Sequence, residues 1–148
     1  MPELLADPTF RLLALVDLLL VLKMAALGNY TSILRLRRHV YATPEDYAMR
    51  AKTPGGRDED IERVRRAHRN DLENIPPFFV VSFLYVLTRP SYGAAAVYFW
   101  GFLAARVLHS VFYIRAMQPH RTIAFTAGSL LSGVMVVWTL VVLVRAAS

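Results

Sequence analysis

Apolar positions along the chain gather into four runs. Residues 10–34 form the first, interrupted by Asp17 and Lys23. Residues 75–88 form a short second run, and residues 92–114 a third that carries Arg106 and His109. Residues 122–144 form a fourth without any charge. A helix needs about 20 apolar residues to cross the hydrocarbon core of a bilayer. The fourth run meets that length cleanly, and the first and third meet it with polar residues inside. The second, taken alone, rises only about 20 Å. Residues 58–74 extend it upstream as a polar, amphipathic section. Asp58, Glu59 and Asp60 put negative charge where a helix start favours it, and Pro76-Pro77 predicts a kink. Polar turns at membrane depth are tolerable only against protein or a wet cavity.

The pattern predicts an all-α protein, one domain over residues 1–148, with four transmembrane helices near 8–38, 58–89, 91–116 and 119–146. Composition agrees: 55% of residues are hydrophobic and 19% charged, against about 25% charged in soluble domains. The net charge of +6 sits mainly in two links. Residues 35–57 hold Arg35, Arg37, Arg38, Arg50, Lys52 and Arg57, and the link between the third and fourth helices holds Arg115, His120 and Arg121. Both are predicted on the cytoplasmic side, with both termini opposite. That placement makes a membrane the expected partner, and nucleic acid is not expected. The Met-Pro-Glu start lacks a basic n-region, so the first run reads as a retained anchor. With no cysteine, disulfides, thiolate metal sites and a nucleophilic cysteine are excluded. No pattern for a metal site, a P-loop or a nucleophile elbow is present.

Two polar stripes stand out. Arg66, Arg69, Asn70 and Glu73 fall at i, i+3, i+4 and i+7 on the second helix, and Arg106, His109 and Tyr113 share one face of the third. Arg35 ends the first helix and Arg121 opens the fourth. At a common depth these groups would suit a small anionic ligand, because arginine grips carboxylates bidentately. Asn70 and Glu73 would then take an amide and an ammonium. The bland alternative is a solvated face or a structural ion pair such as Glu73 with Arg106. A charge inside an apolar run costs about 2.5 kcal/mol or more unless it is satisfied, and either arrangement would satisfy it. Spacing alone leaves ligand site and structural network equal.

Other polar residues carry weaker signals. Thr43-Pro44-Glu45-Asp46 fits a helix start with proline at its first position, which makes Asp46 a capping residue first and a proton-transfer carboxylate second. Asp17 and Lys23 do not share a helix face well and would pair between helices or subunits. His68 either orients Arg69 or faces solvent.

Four stretches carry a family resemblance: RLRRHVYATPED (35–46), ERVRRAHRNDLENIPPF (62–78), ARVLHSVFY (105–113) and QPHR (118–121). On these the chain resembles the MAPEG superfamily of membrane-associated eicosanoid and glutathione enzymes, over nearly its whole length. The resemblance implies a homotrimer in the endoplasmic reticulum membrane, with the outer mitochondrial membrane as a second location. It implies glutathione in a cleft between subunits, open to the cytoplasmic side, and a hydrophobic small-molecule co-substrate. Carried over by position, Arg35, Arg69, Asn70, Glu73, His109, Tyr113 and Arg121 match family glutathione contacts. Arg66 and Arg106 match neighbouring positions, and Arg121 matches the arginine thought to stabilise the thiolate.

The departures bear on the reaction. Thr122 stands where the prostaglandin-synthase branch has a serine assigned to the thiol, and it keeps a hydroxyl. Phe125 replaces a tyrosine of that branch, and Ser129 a glutamine. The link from Tyr113 to Arg121 is one residue shorter. The regulatory cysteine of the transferase branch has no counterpart. The resemblance thus implies a glutathione transferase acting on hydrophobic electrophiles, with lipid hydroperoxide reduction as a side activity and Arg121, Thr122 and Asp46 as the catalytic candidates. A glutathione-dependent prostaglandin E isomerase and a non-enzymatic membrane helper are the alternatives.

Overall fold

The protein is described by a computed structural model that covers residues 2–50 and 56–148; Lys52 and Gly55 of the basic link lie outside them. Among the described residues every regular element is a helix. They are α1 (Pro2–Ala6), α2 (Pro8–Arg38), α3 (Pro44–Met49), α4 (Glu59–Leu87), α5 (Tyr92–Ile114) and α6 (His120–Ala147). At 1.5 Å per residue α4 is about 44 Å long, and it runs through Pro76 and Pro77 as one element.

Local chemistry sets most helix starts. Asp7 caps α2 by accepting from the Thr9 N–H at 2.7 Å. Thr43 caps α3 by accepting from the Asp46 N–H at 3.3 Å. Asp58 caps α4 by accepting from the N–H groups of Asp60 and Ile61 at 3.0 and 3.1 Å, and Ser91 caps α5. Each side-chain oxygen satisfies an N–H that the helix cannot. The head of α6 has no side-chain cap.

Helices α4 and α5 form the centre. Each packs on the other and on both α2 and α6, whereas α2 and α6 do not pack on one another. Ile61, Val64, Ala67, Asp71, Ile75, Phe78, Ser82 and Tyr85 form the buried stripe of α4, at spacings of three or four. Phe78 stacks on Phe102 of α5 with ring centroids 3.8 Å apart and meets Phe99 edge-on at 6.2 Å. Leu13, Val16 and Leu20 close the core from α2, and Met135 from α6.

Much apolar surface stays outside this core. Leu130, Val137, Leu140 and Val144 on α6 are each more than half exposed, a load of bare hydrocarbon that water would penalise. Helices α5 and α6 are long and apolar enough to cross a membrane. Helices α2 and α4 are longer than α5 and carry charged residues.

Candidate active site

The polar residues fall into two groups, one inside the bundle and one on its surface. Inside, Asp71 is fully buried in the apolar stripe of α4 and Arg106 is only 1% exposed on α5. Arg106 Nη2 donates to Asp71 Oδ1 at 2.9 Å and to Asn70 Oδ1 at 2.5 Å. Asp71 Oδ2 is paired with the Lys23 ammonium of α2. Lys23 Nζ also donates to Ser110 Oγ at 2.6 Å. A single carboxylate therefore joins three helices and faces two cations. Buried charges persist only when paired and hydrogen-bonded in this way.

The surface group runs across α4, α5 and the head of α6. Glu59 accepts from Arg66 Nη2 at 2.5 Å. The Arg121 guanidinium lies over the Tyr113 ring, 4.5 Å from its centroid. Gln118 links Arg121 to Thr122. Its amide oxygen faces the guanidinium, which donates from Nε at 3.1 Å, and its NH2 faces Thr122 Oγ1 at 3.1 Å. The opposite amide orientation would set an NH2 against a guanidinium, which has only donors. His109 is buried beside this array, with Tyr113 and Phe125 centroids at 5.6 and 6.0 Å.

Further along α4, Arg69 and Glu73 point outward, with 3.9 Å between Nε and Oε1. Arg57, Glu62, Arg65, Arg66 and Arg69 line a surface cavity of about 370 Å³. A second cavity, of about 250 Å³, shares Arg57, Glu62 and Arg65 with it and adds Arg35. Four arginines against one glutamate give the larger cavity a strong preference for an anion. Asp46 stays apart. Its N–H donates to the Thr43 cap of α3 at 3.3 Å and its carbonyl accepts from Arg50 at 3.4 Å. Among the described residues no helix contact joins α3 to α5 or α6, so a single chain does not bring Asp46 to Arg121 or Thr122.

Residues 13–141 match the model of the MAPEG family. The chain belongs to that family. The pig protein named "Microsomal glutathione S-transferase 1" is 38% identical over 132 residues, covering 85% of each chain. Its human counterpart is 37% identical over 128 residues, covering 82% of this chain and 83% of its own. Human "Prostaglandin E synthase" is 38% identical over 128 residues, 84% of each chain. With two membrane-capable helices and membership of a membrane-associated family, the chain is a membrane protein.

Two expectations change in this MAPEG chain, those for Arg106 and His68, and the pairing of Lys23 between helices holds. Arg106 does not pair with Glu73. It pairs with Asp71, because on α4 Asp71 lies in the inward stripe while Glu73 is exposed. Lys23 finds its partner on another helix, in the same Asp71, and Asp17 Oδ1 is left without a partner among the described residues. His68 turns toward α2 and away from Arg69. Its imidazole lies beside Gly28 of α2.

Asp71 and Gln118 are the residues that sequence reasoning missed. A signal for Asp71 exists: it alone is charged within the run Ile61, Val64, Ala67, Asp71, Ile75, Phe78. Gln118 stands in a matched family stretch but carries no spacing signal.

Proposed function

We propose that this MAPEG chain is a membrane-bound glutathione transferase that conjugates the glutathione thiolate to hydrophobic electrophiles. In this reading four helices, α2, α4, α5 and α6, cross the endoplasmic reticulum membrane, and three copies assemble with the glutathione cleft between neighbours. The carrying observation is the Arg121 guanidinium held over Tyr113 at the uncapped head of α6, with Thr122 tied to it through Gln118.

The residues present fit glutathione. The arginine-lined cavity beside Arg66 and Arg69 suits its carboxylates, and exposed Glu73 suits its ammonium. Bound there, glutathione supplies the sulfur nucleophile. A free thiol has a pKa of about 8.5, so little thiolate exists at neutral pH. Arg121 supplies fixed positive charge, and the N-terminus of α6 adds the positive end of the helix dipole. Each unit by which they lower the thiol pKa corresponds to about 1.4 kcal/mol of thiolate stabilisation. Thr122 offers a second donor to sulfur. Phe125, partly exposed next to His109, gives the electrophile an apolar wall.

The test is conjugation of a chromogenic aryl halide by purified protein with glutathione, read by absorbance. Product no faster than the spontaneous reaction rejects the transferase. Native mass in detergent reads the trimer. The 38% identity to human "Prostaglandin E synthase" supports a second reading, glutathione-dependent isomerisation of the prostaglandin endoperoxide. Product analysis with that endoperoxide decides between them.

A further inference from the structure

Asn70 and Asp71 are neighbours in α4 but face different ways, as successive helical residues must. Asn70 is half-buried at the rim of the bundle, on the stripe with Arg66, Arg69 and Glu73, whereas Asp71 is fully buried. One nitrogen joins them. Arg106 Nη2 donates to Asp71 Oδ1 at 2.9 Å and to Asn70 Oδ1 at 2.5 Å. A guanidinium only donates, so the Asn70 amide must turn its oxygen inward and its NH2 toward the rim. Arg106 itself is 1% exposed and borders a cavity of about 270 Å³ that Glu73 and Asn74 also line.

We propose that Asp71 is a positioning residue for the glutathione site: by holding Arg106, it fixes the Asn70 amide with its NH2 presented to an acceptor oxygen of the ligand. This rests on the glutathione reading above. Asp71 never touches the ligand. Its second oxygen, Oδ2, pairs with Lys23, and Lys23 reaches Ser110. That arm joins α2 to α4 and α5 and touches no residue of the rim. The cluster thus divides into a structural arm through Lys23 and a positioning arm through Arg106. Charge-assisted bonds of this kind are the stronger and more directional ones, which is why removing the negative charge loosens the guanidinium and, with it, the amide.

The two arms separate experimentally in the full-length protein in detergent. Glutathione binding is measured by calorimetry, and KM and kcat with an aryl halide. Asp71→Asn raises the KM for glutathione about tenfold, the effect of losing one well-placed hydrogen bond, and leaves the KM for the aryl halide unchanged. Lys23→Met leaves the glutathione KM near the wild-type value. Where Asp71→Asn alone does not fold, Lys23→Met with Asp71→Leu keeps the net charge of the cluster and removes both carboxylate oxygens, including the one that holds Arg106, so it raises the glutathione KM as well. A folded Asp71 variant with wild-type glutathione KM overturns the inference. So does Lys23→Met if it raises that KM as much as Asp71→Asn. Wild-type protein that binds no glutathione rejects the functional reading itself and this inference with it.

Discussion

Asp71 and Arg106 meet at 2.9 Å between two helices, the carboxylate fully buried and the guanidinium 1% exposed. Truncating one member of such a pair strands the other in a medium of low polarity. Arg106→Ala leaves Asp71 with Lys23 alone and opens a cavity beside Gly128 and Phe102. The expected loss is about 3–5 kcal/mol, the usual cost of breaking a buried pair, read as a shift of the unfolding midpoint in detergent. Lys23→Met should cost less, because Asp71 and Arg106 remain a neutral one-to-one pair. Equal losses would mean that the two cations share the carboxylate evenly.

Arg121 carries the second prediction. Its guanidinium over Tyr113 is positioned by Gln118 and has no carboxylate partner among the described ion pairs. Arg121→Ala should leave glutathione binding measurable and abolish the ultraviolet absorbance of bound thiolate at neutral pH. The sulfur pKa then returns toward about 8.5. Turnover should fall on the order of a hundredfold, the scale for losing one preorganised donor at a charged centre. Persistent thiolate absorbance would remove Arg121 from the role.

The sequence makes long-range arrangement legible only where periodicity meets burial. The apolar runs, the acidic start of α4 and the Thr43 cap are local patterns, and local chemistry produces each of them. The pairing of Arg106 is different. Asp71 and Glu73 are both carboxylates within reach of α5 by residue count, and only the register of the buried stripe says which faces inward. Counting that stripe through the polar half of α4 would have pointed to Asp71. The link from Gln118 to Arg121 has no such pattern behind it. It depends on the turn between α5 and α6, where side-chain geometry and not spacing decides. The reach of Asp46 toward Arg121 is a question about neighbouring subunits, which one chain does not pose.

Gly128 sets how closely α6 lies on α5. A methyl group there would stand 3.6 Å from Ala105 Cβ and 3.8 Å from Arg106 Cδ and Phe102 Cδ2, ordinary contact distances. Gly128→Ala should therefore fold normally, with a gain of up to about 1 kcal/mol from helix propensity. Gly128→Leu has no room and should cost about 1–3 kcal/mol by overpacking. Because α6 carries Arg121 two turns upstream, the leucine variant should also lose part of the thiolate absorbance. Thermal unfolding of both variants checks the packing, and a destabilised alanine variant would show that the helices lie closer than this geometry allows.

The tie between α2 and α4 should respond to pH. Asp58 accepts from Arg38 Nη1 at 2.8 Å and from the Ile61 N–H at 3.1 Å. The Arg38 hydrogen bond first, then that backbone N–H, holds its carboxyl below the usual aspartate range. A group whose folded pKa is depressed adds stability above its unfolded value, about 3.9, and loses that contribution as pH falls through the folded value. Asp58→Asn is the clean probe, since asparagine caps a helix as well as aspartate does and only the charge is lost. Wild type should exceed the variant in Tm by a constant margin from about pH 5 to 7. The margin should shrink below about pH 4 and also in high salt, because the pair is partly exposed. A margin that survives acid would assign the difference to geometry at the cap and not to the ion pair.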